Sequence, residues 1–291
     1  MTGGAPGGPE LFGAREVAEL LDRHQLRLHK HLGQNFVVDP NTIRRVVRLA
    51  ALSADEHVIE VGPGFGALTL GLLPAVRKVT AVEVSADVAD VLRAVVDERA
   101  PGWADRLDIH VADAAAVDLG GLAPDATALV SNLPYGPATT IVLDVLERVP
   151  LVRRLLVMVQ REVGERLAAG PGAAAYGLPS LRVAMNATAR VVGNVSAEVF
   201  FPPPRVASVL VEIVRRDDAL ALDRQDEVMA LARPAFEQRR KMLRSSLRTL
   251  LDDDAFGRAD VAPTMRPEQL DLGAWLRLVD VCSRQPRSSA P

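Results

Sequence analysis

The tetrapeptide Asn132-Leu133-Pro134-Tyr135 combines residue types suited to chemistry on an aromatic amine, and it follows directly on an apolar stretch. An asparagine carbonyl and a main-chain carbonyl, that of Leu133 or Pro134, can accept both hydrogens of an amine whose lone pair is conjugated into a ring. The proline stiffens the segment, and the tyrosine ring offers a stacking face worth ~1–3 kcal/mol per base. A strand-end turn with a packed tyrosine is the alternative interpretation.

A glycine-rich loop containing Gly62, Gly64 and Gly66 lies between a predicted strand and a predicted helix. Glycines allow a sharp turn and a close approach of the backbone to a ligand, with helix N–H groups facing it. Glu83 follows about twenty residues later at the end of the next predicted strand, where a carboxylate can bind ribose hydroxyls. The spacing predicts a nucleoside-type ligand and fits an NAD fingerprint equally well; a tight turn without a ligand is the other interpretation.

Two further carboxylates favour S-adenosylmethionine over NAD. Glu60 lies inside the first predicted strand, two residues before the glycines, where it can help to hold a cationic ligand with a free amino group. Asp113 ends the third predicted strand and is placed to accept from an adenine amine. A pyrophosphate would be repelled by such acids. For Asp113, a helix N-cap is the alternative role.

These residues are positioned by a predicted alternation of strands and helices. Apolar runs at 57–61, 78–84, 107–111, 127–132 and 153–160 alternate with helical spacing, which indicates a parallel, doubly wound sheet. Ligands of such sheets bind at the carboxyl ends of the strands. Two strands around a proline-rich corner follow after residue 170, and helical spacing dominates from about 219. We therefore predict a disordered N-terminus over 1–10, an α/β domain over 11–216 that contains the cofactor site, a helical domain over 217–283 and a disordered tail over 284–291.

Composition narrows the function classes. A formal net charge of −3 argues against nucleic-acid binding by the chain as a whole, so any such role depends on local clusters. Cys282 is the only cysteine, which excludes an intrachain disulfide and a cysteine metal cluster. The N-terminus lacks the features of a signal peptide, and no stretch has the apolar length of a membrane span. We therefore expect a soluble, cytoplasmic protein.

Basic residues cluster at 23–31, at 153–166 and at 239–248. The first two clusters are equally well explained as solvated helix faces, and the histidines of the first lack a carboxylate in metal-ligand spacing. The third, here the basic segment, contains no acid, and helical spacing would place Arg240, Arg244 and Arg248 on one stripe. The predicted RNA-binding residues are Arg239, Arg240, Lys241, Arg244 and Arg248.

Taken together, the motifs resemble the KsgA/RsmA family of ribosomal RNA adenine dimethyltransferases over roughly residues 26–280. The combination is more specific than any single motif. The matching stretches, in order, are HKHLGQNFVVDPNTI, EVGPGFGALT, AVEVS, SNLPYGPATT, MVQREVGERLAAGPGAAAYG, FFPPPRVASVLVEI and AFEQRRKMLRSSL.

The resemblance implies a Rossmann-like class I S-adenosylmethionine-dependent fold, with a seven-stranded, mostly parallel sheet and a small C-terminal α-helical domain. It also implies dimethylation of two adjacent adenines near the 3′ end of small-subunit ribosomal RNA, by a monomer that needs no metal. Asn132 and Pro134 would hold the target amine, with Tyr135 and Phe200 on the two faces of the base. The implied cofactor-binding residues are Gln34, Asn35, Glu60, Gly62, Gly64, Gly66, Glu83, Val84, Asp113, Ala114 and Asn132.

The chain departs from the family pattern at two places. Gly136-Pro137 stands where the family usually has Asn-Ile, and Arg205 replaces a commoner lysine. An Erm-type methyltransferase of one large-subunit adenine shares the glycine loop and the GQNF motif and is the nearest alternative. A ribosome-assembly factor acting mainly through RNA binding and a small-molecule or DNA adenine methyltransferase are further alternatives.

Overall fold

The computed structural model describes residues 8–26 and 35–283, which form two compact units. The first unit extends to Gly164 and resumes over Arg190–Arg215, and the second contains Glu165–Ala189 and the chain from Arg216 onward. The sequence placed the boundary only at residue 216. Residues 165–189 are assigned to the second unit because Leu181 and Met185 are buried in its helical core.

The first unit is built on a sheet of seven strands in the order β4-β3-β2-β5-β6-β9-β7. The strands from β4 to β6 run parallel, and β9 is antiparallel to β6. A separate antiparallel pair joins β1 to β8. The strands are β1 (Phe36–Val37), β2 (His57–Val61), β3 (Lys78–Glu83), β4 (Leu107–Val111), β5 (Ala128–Asn132), β6 (Arg154–Gln160), β7 (Ala187–Val195), β8 (Phe200–Phe201) and β9 (Ser208–Arg215).

The helices connect the parallel strands and form the second unit. They are α1 (Ala14–Arg23), α2 (Pro40–Ala50), α3 (Ala67–Leu72), α4 (Ala86–Arg99), α5 (Leu119–Leu122), α6 (Ala138–Arg148), α7 (Arg161–Ala168), α8 (Leu178–Asn186), α9 (Leu222–Glu237), α10 (Leu243–Ser246), α11 (Asp253–Arg258) and α12 (Leu272–Ser283). Within the described ranges, none of these helices is long and apolar enough to cross a membrane.

Strand β2 lies at the centre of the parallel sheet and is buried along its whole length. Its near-continuous apolar sequence is typical of a strand covered on both faces. It pairs in register with β3 through Val58 and Val79, and with β5 through Ile59 and Leu129. Because the three strands run parallel, the glycine loop after β2 and the tetrapeptide at the end of β5 emerge side by side.

Helix α2 is capped at its N-terminus and joined to the sheet at its C-terminus. The Asp39 carboxylate caps α2 by accepting from the backbone N–H of Thr42 at 2.8 Å. Arg154 at the start of β6 donates to the carbonyl oxygens of Ala50 and Ala51, both at 2.6 Å. These bonds satisfy groups that a helix end leaves unpaired. The segment from Asn35 onward therefore has a defined place beside the site.

The second unit is a helical core closed by aromatic residues. Trp275, which is fully buried, lies 6.1 Å from Phe236 by ring centroids, and Phe236 lies at the same separation from Tyr176. The Tyr176 hydroxyl donates to the carbonyl oxygen of Leu270 at 3.0 Å. Helix α8 contributes to the same core, so this unit is built from two separate stretches of the chain.

Candidate active site

A cavity of about 520 Å³ opens in the first unit at the carboxyl ends of β2, β3 and β5. This volume lies within the range of about 300–1,000 Å³ that is usual for small-molecule sites. Its lining includes most of the residues that the sequence analysis selected: Asn35, Glu60, Gly62, Gly64, Glu83, Val84, Asp113, Ala114, Asn132, Pro134 and Tyr135.

The glycine loop adopts a backbone that side chains would not tolerate. Gly62, Gly64 and Gly66 have φ values of +65°, +56° and +91°. A Cβ on Gly64 would lie 2.8 Å from the Phe36 ring, and a Cβ on Gly66 would lie 2.6 Å from Leu92. Steric exclusion thus explains these glycines as well as closeness to a ligand does.

Glu60 is a buried carboxyl group inside the cavity wall. It is 1% exposed and accepts a hydrogen bond of 2.6 Å from the Thr69 hydroxyl. Burial raises its pKa to about 8, the negative charge of Glu83 acts in the same direction, and the Thr69 bond opposes both. A cation in the cavity would reverse this effect by favouring the carboxylate.

Glu83 shapes the loop as well as the cavity. Its carboxylate accepts from the backbone N–H of Ser85 at 3.1 Å, and the N–H groups of Gly64 and Val84 also lower its pKa. Burial nevertheless leaves the pKa of Glu83 above its ordinary value. The side chain therefore ties the glycine loop to β3 while facing the cavity.

Asp113, Val84 and Ala114 border one end of the cavity. The Asp113 side chain is exposed, and its Oδ1 accepts from the backbone N–H of Ala115 at 2.9 Å. This is the local bond of an Asx turn and not a helix N-cap, because the next helix, α5, begins only at Leu119. Val84 is 52% exposed and presents an apolar surface to whatever the cavity binds.

Asn132 has one satisfied and one unsatisfied polar atom. Its Nδ2 donates to the main-chain carbonyl of Asn35 at 3.0 Å, which sets the orientation of the amide. Its Oδ1 is buried and accepts no hydrogen bond from the described residues. A buried acceptor without a partner costs roughly 1–3 kcal/mol and calls for an explanation. A donor in the cavity would supply one.

Tyr135 is half-buried at the mouth of the cavity, and its position is set by a hydrogen bond. Its hydroxyl lies 2.9 Å from Oγ of Ser208, at the start of β9. Burial raises its pKa, so the hydroxyl stays neutral at physiological pH. Pro134 lies next to the glycine loop: a Cβ built on Gly62 would be 3.4 Å from Pro134 Cδ.

Phe200 is a selected residue that the structure does not bring to this site. Phe200 is only 2% exposed and belongs to the hydrophobic core, where it pairs with Val37 between β8 and β1. The structure therefore does not present its ring to a base beside Tyr135. The sequence could not decide which member of the Phe200-Phe201 pair is buried. Gln34 lies outside the described residues.

The basic segment differs from the predicted helical stripe. Helix α9 ends at Glu237, and turns separate it from the four-residue helix α10. Arg239 donates to the carbonyl oxygen of Ala174 at 2.8 Å and lies 3.8 Å from Glu268, so it fixes a loop within its own unit. The remaining basic residues of the segment are exposed: Arg240, Lys241, Arg244 and Arg248.

Three residues that the sequence analysis did not select complete the site. Phe36 stacks on Phe65 with a centroid separation of 4.3 Å, and both rings line the cavity. Ser208 anchors Tyr135. Phe36 belongs to the GQNF motif and Ser208 to the PPPRVAS stretch, so the signals were present in the sequence without an indication of what each residue contacts.

Comparison with known proteins identifies the family. The family model for ribosomal RNA adenine dimethylase matches residues 25–283. The chain belongs to the ribosomal RNA adenine dimethylase family. One relative, ribosomal RNA small subunit methyltransferase A of Kineococcus radiotolerans, is 46% identical to this chain. The match covers 92% of this chain and 90% of the relative's own length. The protein of the same name from Corynebacterium glutamicum is 40% identical over 96% and 98%.

Solved structures show the same fold at lower identity. A dimethyladenosine transferase from Plasmodium falciparum has a TM-score of 0.72 and 22% identity, over 82% of this chain and 94% of its own. The 23S rRNA methyltransferase ErmE has a TM-score of 0.66 and 24% identity, over 86% and 100%. With the seven-stranded sheet, these likenesses confirm the Rossmann-like class I methyltransferase fold expected for the adenine dimethylase family.

The positive φ angles of the glycine loop give a stability test. Gly64→Ala should lower the free energy of unfolding by about 1–3 kcal/mol, because a Cβ at positive φ is strained and would press on the Phe36 ring. Gly136→Ala is the matched control, since a Cβ there would meet nothing within 4 Å. Urea denaturation of both variants measures the difference, and equal stabilities would contradict the account of the loop.

Proposed function

We propose that this chain uses S-adenosylmethionine to dimethylate N6 of two adjacent adenines near the 3′ end of small-subunit ribosomal RNA. The observation that carries the proposal is the buried Oδ1 of Asn132, an acceptor that lacks a donor among the described residues. Family membership supports the reaction class. We further propose that the protein acts as a monomer in the cytoplasm, where ribosomal subunits are assembled.

The cavity contains groups that fit the cofactor. When bound, S-adenosylmethionine supplies an electrophilic methyl group on a positively charged sulfur. Glu60 would hold its ammonium group, Glu83 its ribose hydroxyls and Asp113 its adenine amine. Gly62 and Gly64 would leave room for its methionine end, and the exposed side chain of Val84 would cover an apolar face. The two buried carboxyl groups favour a cationic ligand, because a cation offsets the cost of ionising them.

Asn132 would orient the target amine. The adenine amine is planar and weakly nucleophilic because its lone pair is conjugated into the ring. The Oδ1 of Asn132 and the main-chain carbonyl of Leu133 or Pro134 would accept its two hydrogens and favour rehybridisation of the nitrogen. Because Asn35 already holds Nδ2, the amide is positioned before the substrate arrives. The methylated amine can lose its proton to water afterwards, so the site needs no general base.

Tyr135 would stack on the extruded adenine. A target base must leave its helix to reach the cavity, and an aromatic face repays part of the unstacking cost. Tyr135 is the aromatic residue next to Asn132 at the cavity mouth. Phe200 was the proposed partner on the opposite face, but its burial in the core does not support that role.

The relatives favour the small-subunit target over the Erm-type alternative. The proteins from Kineococcus, Corynebacterium and an Arthrobacter species, the last 43% identical over 99% of this chain, all carry the name small subunit methyltransferase A. The likeness to ErmE, at 24% identity, concerns the fold alone. The target is tested by mapping methyl groups on ribosomal RNA from cells with and without the gene. Loss of a large-subunit mark, with the small-subunit adenines still dimethylated, would overturn the proposal.

The Asn132 acceptor gives the mechanistic prediction. Asn132→Ala should lower kcat by at least about 100-fold, because it removes a preorganised contact to the reacting amine. Its Kd for S-adenosylmethionine, measured by calorimetry, should change much less. Asn41→Ala, which removes an exposed amide on α2, is the matched control and should leave kcat unchanged. Full turnover by Asn132→Ala would exclude the assigned role.

The buried carboxyl group of Glu60 predicts a pH-dependent affinity. Its raised pKa of about 8 leaves it mostly protonated at neutral pH, and a cationic ligand requires the carboxylate. Affinity for S-adenosylmethionine should therefore increase from about pH 5.5 to about pH 7, below the range where an α-amino group loses its charge. Glu60→Gln cannot titrate and should show a flatter profile. Parallel profiles for the two proteins would contradict this assignment.

The exposed arginines of the basic segment should determine part of the salt dependence of RNA binding. Arg244→Ala combined with Arg248→Ala should weaken binding and flatten the slope of log Kd against log salt by about 1–2, because fewer counterions are released. Arg258→Ala removes a charge from the same unit at a residue already paired with Asp252 and is the control. An unchanged slope in the double variant would make the segment an ordinary solvated surface.

A further inference from the structure

Tyr135 lies at the cavity mouth, and the hydrogen bond of its hydroxyl group is to Ser208. It follows the end of β5 within a loop, and Gly136 comes directly after it. Gly136 is exposed, and a Cβ at that position would meet no atom within 4 Å. The backbone at Gly136 is therefore not held by packing, while Pro134 and Pro137 restrict the backbone on either side of Tyr135-Gly136.

Ser208 is fixed much more firmly. It is completely buried as the first residue of β9 and pairs with Gln160 in the seven-residue ladder between β6 and β9. The carbonyl of the preceding residue, Ala207, accepts from the Arg161 N–H at 2.9 Å. Its Oγ is therefore attached to a backbone that the sheet holds on both sides of the residue.

The bond between the two hydroxyl groups joins the loop after β5 to this strand. The Tyr135 hydroxyl and Ser208 Oγ are 2.9 Å apart, although the residues are 73 positions apart in the chain. The phenol oxygen lies at the far end of the ring from Cα. A contact there restrains the ring at both ends, which limits the directions in which its faces can point.

We infer that Ser208 is a positioning residue that holds the Tyr135 ring as a preorganised stacking surface for the target base. Ser208 acts through Tyr135 and does not line the cavity itself. The inference rests on the proposed function, because it presumes that a base stacks on Tyr135. Preorganisation matters here because a ring that must be ordered during binding loses part of the stacking free energy.

The restraint itself can be measured without any catalytic assay. Tyr135 and Tyr176 are the only tyrosines, so labelling tyrosine with ¹³C yields two ring environments. In Ser208→Ala the Tyr135 ring resonances should broaden or shift, while those of Tyr176, bonded to Leu270 in the second unit, stay in place as an internal reference. Tyr135 resonances identical to those of the parent protein would overturn the inference.

The consequence is measured by methyl transfer to small-subunit RNA. Ser208→Ala and Tyr135→Phe should each lower kcat/KM for RNA roughly three- to tenfold, the usual effect of one lost hydrogen bond. The double variant should lose no more than either single one, because both remove the same bond. The Kd for S-adenosylmethionine should stay constant. Additive losses, or full kcat/KM in both single variants, would overturn the inference.

Two controls separate a positioning effect from a general loss of stability. Ser180→Ala also removes a buried serine hydroxyl, one that donates to Arg166, and should lower Tm without changing kcat/KM for RNA. Gly136→Ala stiffens the loop and, combined with Ser208→Ala, should recover part of the lost kcat/KM. If the parent protein transfers no methyl group to small-subunit RNA, the proposed function fails, while the tyrosine resonances still decide whether Ser208 restrains Tyr135.

Discussion

A single hydrogen bond, from Asn132 Nδ2 to the carbonyl of Asn35, determines how the site can work. It directs the second polar atom of the amide, Oδ1, into a buried position where the described residues offer no donor. The bond requires the chain before β1 to lie against the end of β5, which the caps on α2 and the Phe36–Phe65 stack secure. These contacts together keep the Oδ1 of Asn132 buried and correctly oriented.

The electrostatics of the cavity follow the same principle. Glu60 and Glu83 are both buried, and burial raises the pKa of each; the negative charge of Glu83 adds to the cost of ionising Glu60. A protein would gain stability by replacing such groups with apolar ones, so their retention favours a role in binding a cation. The unpaired Oδ1 of Asn132 and the buried carboxyl groups each destabilise the empty site. An amine would satisfy the Oδ1, and a cationic nucleoside ligand would stabilise the carboxylates.

Much of the fold was predictable from the sequence because parallel strands with glycine-rich turns leave strong patterns. The predicted helical stripe of the basic segment and the predicted position of Phe200 were wrong for physical reasons. The stretch at 239–248 has helical spacing, yet the helix ends at Glu237 and Arg239 instead bonds to Ala174, a tertiary contact that spacing does not encode. Phe200 and Phe201 are adjacent in a short strand and point to opposite sides, so their composition alone could not assign the buried one. Ser208 could not be selected from the sequence either, because its role depends on a hydrogen bond to Tyr135, 73 positions away.

The second unit is assembled from two stretches of chain, with a strand-forming stretch of the first unit between them. Helix α8 leaves the ribosome well before α9 and α12, whose apolar residues it needs for burial. During synthesis, Leu181 and Met185 therefore stay exposed to solvent, or are covered by another protein, until α9 and α12 have been made. A fragment that begins at residue 217 would lack both side chains and expose the gap they fill. The helical region is thus a poor candidate for exchange between proteins as an independent module, and recombination would have to move both stretches together.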